Sequence, residues 1–169
     1  FLVGCDDSGL VFHDLKDGTR KALPRKDVAP TGVWLPNGKL LISQGDEGTL
    51  EILDPQTWAD GELISVKNDD RQHPYLNELV VTQDGKFAYA VDTSYQEVVT
   101  IDLSTKTVVN RTAAGRQPYA IAIDESSKQI FVANTHDYLM YISSAGKAYW
   151  QKVHEIPEAS RGARGAHLK

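Results

Sequence analysis

The chain has 169 residues, room for one domain, and its 41% hydrophobic and 24% charged residues support a packed core and exclude a disordered chain. Its 18 Lys and Arg stand against 23 Asp and Glu, which excludes a uniformly basic nucleic-acid binder but leaves room for a local basic patch. The single cysteine, Cys5, excludes a disulfide framework and a multi-cysteine metal site.

In chain order, four segments repeat one pattern: 1–23, 30–66, 73–114 and 117–157. The first opens on Phe1-Leu2-Val3-Gly4-Cys5, with neither an initiator Met nor a basic stretch, so no signal peptide is expected. The second reads Gly32-Val33-Trp34-Leu35, the turn Pro36-Asn37-Gly38-Lys39, Leu40-Leu41-Ile42-Ser43, then an apolar run over 50–54. The third reads Leu79-Val80-Val81, the turn Gln83-Asp84-Gly85-Lys86, Phe87-Ala88-Tyr89-Ala90-Val91-Asp92, then 98–102. The fourth reads Ala120-Ile121-Ala122-Ile123, a turn over 124–128, then runs at 129–134 and 138–143. Asp14, Asp54, Asp102 and Ser143 end the third run of each unit, at spacings of 40, 48 and 41 residues. Short β-branched and aromatic runs with period-two alternation, broken by Asn-Gly and Asp-Gly turns, predict strands and hairpins. No window shows a helical stripe, and none approaches the ~20 apolar residues of a membrane helix, so no membrane partner is expected.

A period of ~40–50 residues built only from short strands predicts an all-β fold, a β-propeller with about four blades of four-stranded antiparallel sheet. The expected blades are 1–28, 29–70, 71–115 and 116–158, followed by a closing segment, 159–169. Residues 1–5 align with 40–44 and 87–91, the second strand of a blade. The first blade therefore starts one strand late, and 163–169 is expected to supply its innermost strand, because an open strand edge invites aggregation. The ring closes either alone or as part of a larger ring formed by two chains.

Two resemblances follow from these residues. His73-Pro74 through Asp102 and Arg116-Gln117-Pro118-Tyr119 through Asn134 resemble YVTN-type propeller repeats, with Tyr89-Ala90-Val91-Asp92 and Phe131-Val132-Ala133-Asn134 in the place of the name-giving strand. That resemblance implies the fold and no particular activity. Residues 130–169 are similar to the first blade of the C-terminal domain of the DNA gyrase A subunit, through His136-Asp137-Tyr138-Leu139, Gly146-Lys147-Ala148-Tyr149-Trp150 and the run from Val153 to Arg161. This second resemblance implies a blade of DNA-contacting character. The glutamine-flanked basic-glycine box used for wrapping is absent, as are the breakage-reunion domain and its catalytic tyrosine, so gyrase activity does not carry over. Two families within one chain imply a composite of propeller pieces, joined by natural recombination or by laboratory fusion.

From Lys128 onward six Lys and Arg face three acids, while the rest of the chain has 12 against 20. The candidate DNA contacts are Lys147, Lys152, Arg161, Arg164 and Lys169, and the glycines of Arg161-Gly162-Ala163-Arg164-Gly165 would allow close approach to a phosphate. The competing reading is a solvated surface turn. In calcium-dependent gluconolactonase-like propellers, an Asn on an inner strand and an Asp ending the next strand hold the metal. Asn77 and Asp92 stand at comparable places, although calcium takes ~6–8 oxygens. The competing reading makes Asp92 a turn cap. The five histidines, His13, His73, His136, His154 and His167, show no metal-ligand spacing. Cys5 reads as a small buried hydrophobe, the acid pairs Asp6-Asp7, Asp46-Glu47 and Asp69-Asp70 as ordinary loop acids, and Trp34 and Trp150 as packing between blades. No catalytic residue and no cofactor is implied. The leading expectation is a non-catalytic binding or assembly scaffold that associates with protein or with itself. The alternatives are a DNA-binding or wrapping domain and a metal-dependent lactonase-like hydrolase.

Overall fold

A computed structural model describes residues 2–6, 9–23, 31–57, 61–124, 129–134, 138–142 and 148–152. Every extended element is a β-strand, and none of the described residues forms a helix long and apolar enough to cross a membrane. The chain divides into two compact units, Phe1–Ala133 and Asn134–Lys169.

The first unit is a succession of antiparallel meanders in chain order. Strands β1 (Leu2–Asp6), β2 (Gly9–His13) and β3 (Arg20–Leu23) form a three-stranded sheet among the described residues. Strands β4 (Gly32–Trp34), β5 (Leu40–Ser43), β6 (Thr49–Leu53) and β7 (Glu62–Ser65) form a four-stranded sheet, with a 3₁₀ turn at Gly45–Glu47 between β5 and β6. Strands β8 (Leu76–Val81), β9 (Phe87–Asp92), β10 (Glu97–Asp102) and β11 (Thr107–Ala113) repeat it. Strands β12 (Ala120–Asp124) and β13 (Gln129–Ala133) form a two-stranded sheet. These meanders are the blades of a β-propeller.

The Asn-Gly and Asp-Gly turns do what their residues demand. Between β8 and β9, the Gly85 N–H donates to the Thr82 carbonyl at 2.8 Å, with Gly85 at φ +70°. A Cβ there would also meet the Pro36 ring of the preceding sheet's turn at 3.1 Å. Glycine thus serves both the left-handed turn and the approach of two sheets.

Period-two alternation sorts the side chains into two seams. Leu41, Leu50, Ile64 and Val66 from the β4–β7 sheet pack with Leu79, Ala88, Ala90, Val99 and Ile101 from the β8–β11 sheet, and Leu35 and Leu76 join the same cluster. Full burial of one such leucine contributes about 1.5–3 kcal/mol. The opposite face of the β8–β11 sheet presents Val91 and Val98 to Ile121 of β12, with Val80, Tyr89 and Val132 half-buried around them. At the outer edge, the β10–β11 register shifts between Thr100 and Ile101, so Val109 is an extra, unpaired residue. Such a bulge twists an exposed edge away from further pairing.

Within the segment expected as a fourth blade, β12 pairs with β13 and, in the second unit, β14 (Tyr138–Ile142) pairs with β15 (Ala148–Lys152). The boundary between the compact units falls between them. Trp34, expected between blades, is 40% exposed, because the alternation of β4 turns the smaller Val33 toward the core. The expected closing segment lies outside the described residues.

Candidate functional site

Of the candidate DNA contacts, Lys152 ends β15, where its backbone pairs with Tyr138. Lys147, Arg161, Arg164 and Lys169 lie outside the described residues.

Asn77 and Asp92 are brought to neighbouring strands. Asp92 pairs with Leu76 across β8–β9, and a register break between Leu76 and Leu79 places Asn77 and Glu78 in an irregular stretch beside it. Asp92 is fully buried. Its Oδ1 accepts N–H bonds from Tyr75 at 3.2 Å, Ser94 at 3.0 Å and Tyr95 at 3.2 Å, which caps the β9–β10 turn and fastens the entry of β8. Its Oδ2 is buried without a hydrogen-bond partner among the described residues. Burial raises the Asp92 pKa, the N–H groups of Tyr95, Tyr75 and Ser94 act against it, and the neighbouring Glu97 charge raises it further. Oδ2 and the adjacent Asn77 fall short of the ~6–8 oxygens that calcium takes. Among the described residues no three His, Cys, Asp or Glu side chains converge. With three N–H groups on Oδ1, the arrangement among the described residues is that of a turn cap.

Glu78, beside Asn77, accepts the Ile121 N–H on Oε2 at 2.9 Å, so a side chain of one sheet fastens the inner strand of the next.

A cluster that the sequence analysis did not single out adjoins Asp92. Glu97, opposite Asp92 across β9–β10, has its side chain 8% exposed. Its Oε1 accepts from Arg111 Nη1 at 2.6 Å, while Arg71 Nε stands 3.4 Å from the same oxygen without hydrogen-bond geometry. Arg111 Nη2 donates to the Val66 carbonyl at the end of the preceding sheet, and the Arg71 guanidinium lies over the Tyr95 ring, 4.8 Å from its centroid. Two cations therefore hold one buried carboxylate and tie two sheets together. The available signal is a pair of charged residues within the alternating strands β10 and β11.

Three further cations of the first unit stand beside acids. Lys106 pairs with Glu62, Lys86 lies 3.6 Å from Asp84 and Lys67 lies 4.0 Å from Glu47. A groove of about 330 Å³ between the turns of the second and third sheets is lined by Lys39, Lys86 and Lys106 together with Glu62 and Asp84. A second groove, of about 520 Å³, runs between β10–β11 and β13 and is walled by Val98, Thr100, Asn110, Thr112, Ile130 and Val132. His13 is half-buried in β2 and His73 is exposed; the other histidines lie outside the described residues.

Residues 137–168 match the family described as DNA gyrase C-terminal domain, beta-propeller. The DNA gyrase A subunit of Treponema pallidum is 47% identical over 60 residues, 36% of this chain and 7% of that protein. Its counterpart in Escherichia coli is 35% identical over 91 residues, 53% of this chain and 10% of that protein. The chain thus matches a small fraction of these relatives' length. Among solved structures, the hydrazine synthase of Kuenenia stuttgartiensis aligns with a TM-score of 0.55 at 21% identity, covering 78% of this chain and 37% of that one. The virginiamycin B lyase of Staphylococcus aureus aligns with a TM-score of 0.55 at 13% identity, covering 89% of this chain and 54% of that one. At such identities these two speak for the fold alone.

Proposed function

We propose that residues 137–168 form a non-catalytic element that contacts duplex DNA, with Lys147, Lys152, Arg161, Arg164 and, just beyond, Lys169 set against phosphates. The observation that carries this reading is the match of that segment to the gyrase C-terminal propeller family. On that ground it is preferred to the general binding scaffold with which the sequence analysis led. Charge supports it. Residues 134–169 carry five Lys and Arg against three acids, whereas residues 1–133 carry 13 against 20. In the first unit Lys67, Lys86, Lys106, Arg71 and Arg111 each stand beside a carboxylate. Such paired cations have little to offer a phosphate. Contact rather than wrapping is proposed, because the glutamine-flanked basic-glycine box is missing.

The test is fluorescence anisotropy of the full 169-residue chain with a linear duplex across a salt series. Contacts to phosphate carry little sequence preference, and about five of them give a slope of log Kobs against log salt near −4.5. Arg161→Ala with Arg164→Ala reduces the slope's magnitude by about 1.8, whereas Lys86→Ala with Lys106→Ala leaves it unchanged. No binding at low salt overturns the proposal, as does an equal loss from the second pair.

A further inference from the structure

We draw no further inference here: the strongest candidate, the open, partly apolar groove between β10–β11 and β13 walled by Val98, Ile130 and Val132, carries nothing because nothing among the described residues shows what covers it.

Discussion

Substituting Glu97 by Ala removes the carboxylate between Arg111 and Arg71 and leaves two cations at the junction of two sheets. Breaking a fully buried pair by deleting one partner costs about 3–5 kcal/mol. Here the Arg111 side chain is 17% exposed and that of Arg71 32%, so water reaches both and offsets part of the loss. Arg111 also keeps the Val66 carbonyl as an acceptor. An expected cost of about 2–3 kcal/mol follows, equivalent to a fall in Tm of roughly 4–12 °C for a domain of this size. The assay is thermal and urea unfolding of the wild type, Glu97→Ala, Arg111→Met and the double variant. If the junction is held by charge, the double variant is more stable than the sum of the single losses implies, since it no longer leaves Arg111 without its carboxylate. A Glu97→Ala protein within about 0.5 kcal/mol of wild type, or strict additivity in the cycle, refutes the reasoning.

Asp92→Asn tests the turn cap through pH. The folded state raises the Asp92 pKa above its ordinary 3.8, so folding takes up protons there. The Asp92 contribution to stability is therefore greatest in acid and declines as pH rises from that ordinary value through the folded one. The Asn variant lacks this part of the dependence, and urea midpoints across the acid range read the difference between the two profiles. Gly48→Ala meets two obstacles, a φ of +60° and a Cβ only 2.4 Å from Pro74 Cγ. Its expected cost is about 2 kcal/mol or more, read as a lower urea midpoint at unchanged m-value.

The first three strands of the second and third repeats were legible because alternation and turn chemistry agree there. Asn37-Gly38 and Asp84-Gly85 mark hairpins whose flanking runs have the right period. Trp34 was misjudged because aromatic character says nothing about which face of a three-residue strand meets the core. The Glu97 cluster escaped because its members come from a linker, from two strands at a diagonal offset and from the preceding sheet's carbonyl. At Asp92 both readings were on hand, and the three N–H groups converging on Oδ1 favour the cap. The basic C-terminal candidates rest on sequence likeness and charge count.

The unequal seams on either face of the β8–β11 sheet have a consequence for how the first unit comes apart. Among the described residues, eleven buried side chains make up the cluster on one side, while three buried ones line the other. In a stack of repeats, each sheet's persistence depends on its own stability plus the contacts it shares with its immediate neighbours. The seam that the β12–β13 hairpin shares with the β8–β11 sheet is the thin one, reinforced by the Glu78 bond to Ile121. The β8–β11 sheet is anchored by the thick one. Of the two seams on β8–β11, the one to β12–β13 therefore opens first, and amide hydrogens of that hairpin exchange with solvent while those of β5, β9 and β10 remain protected.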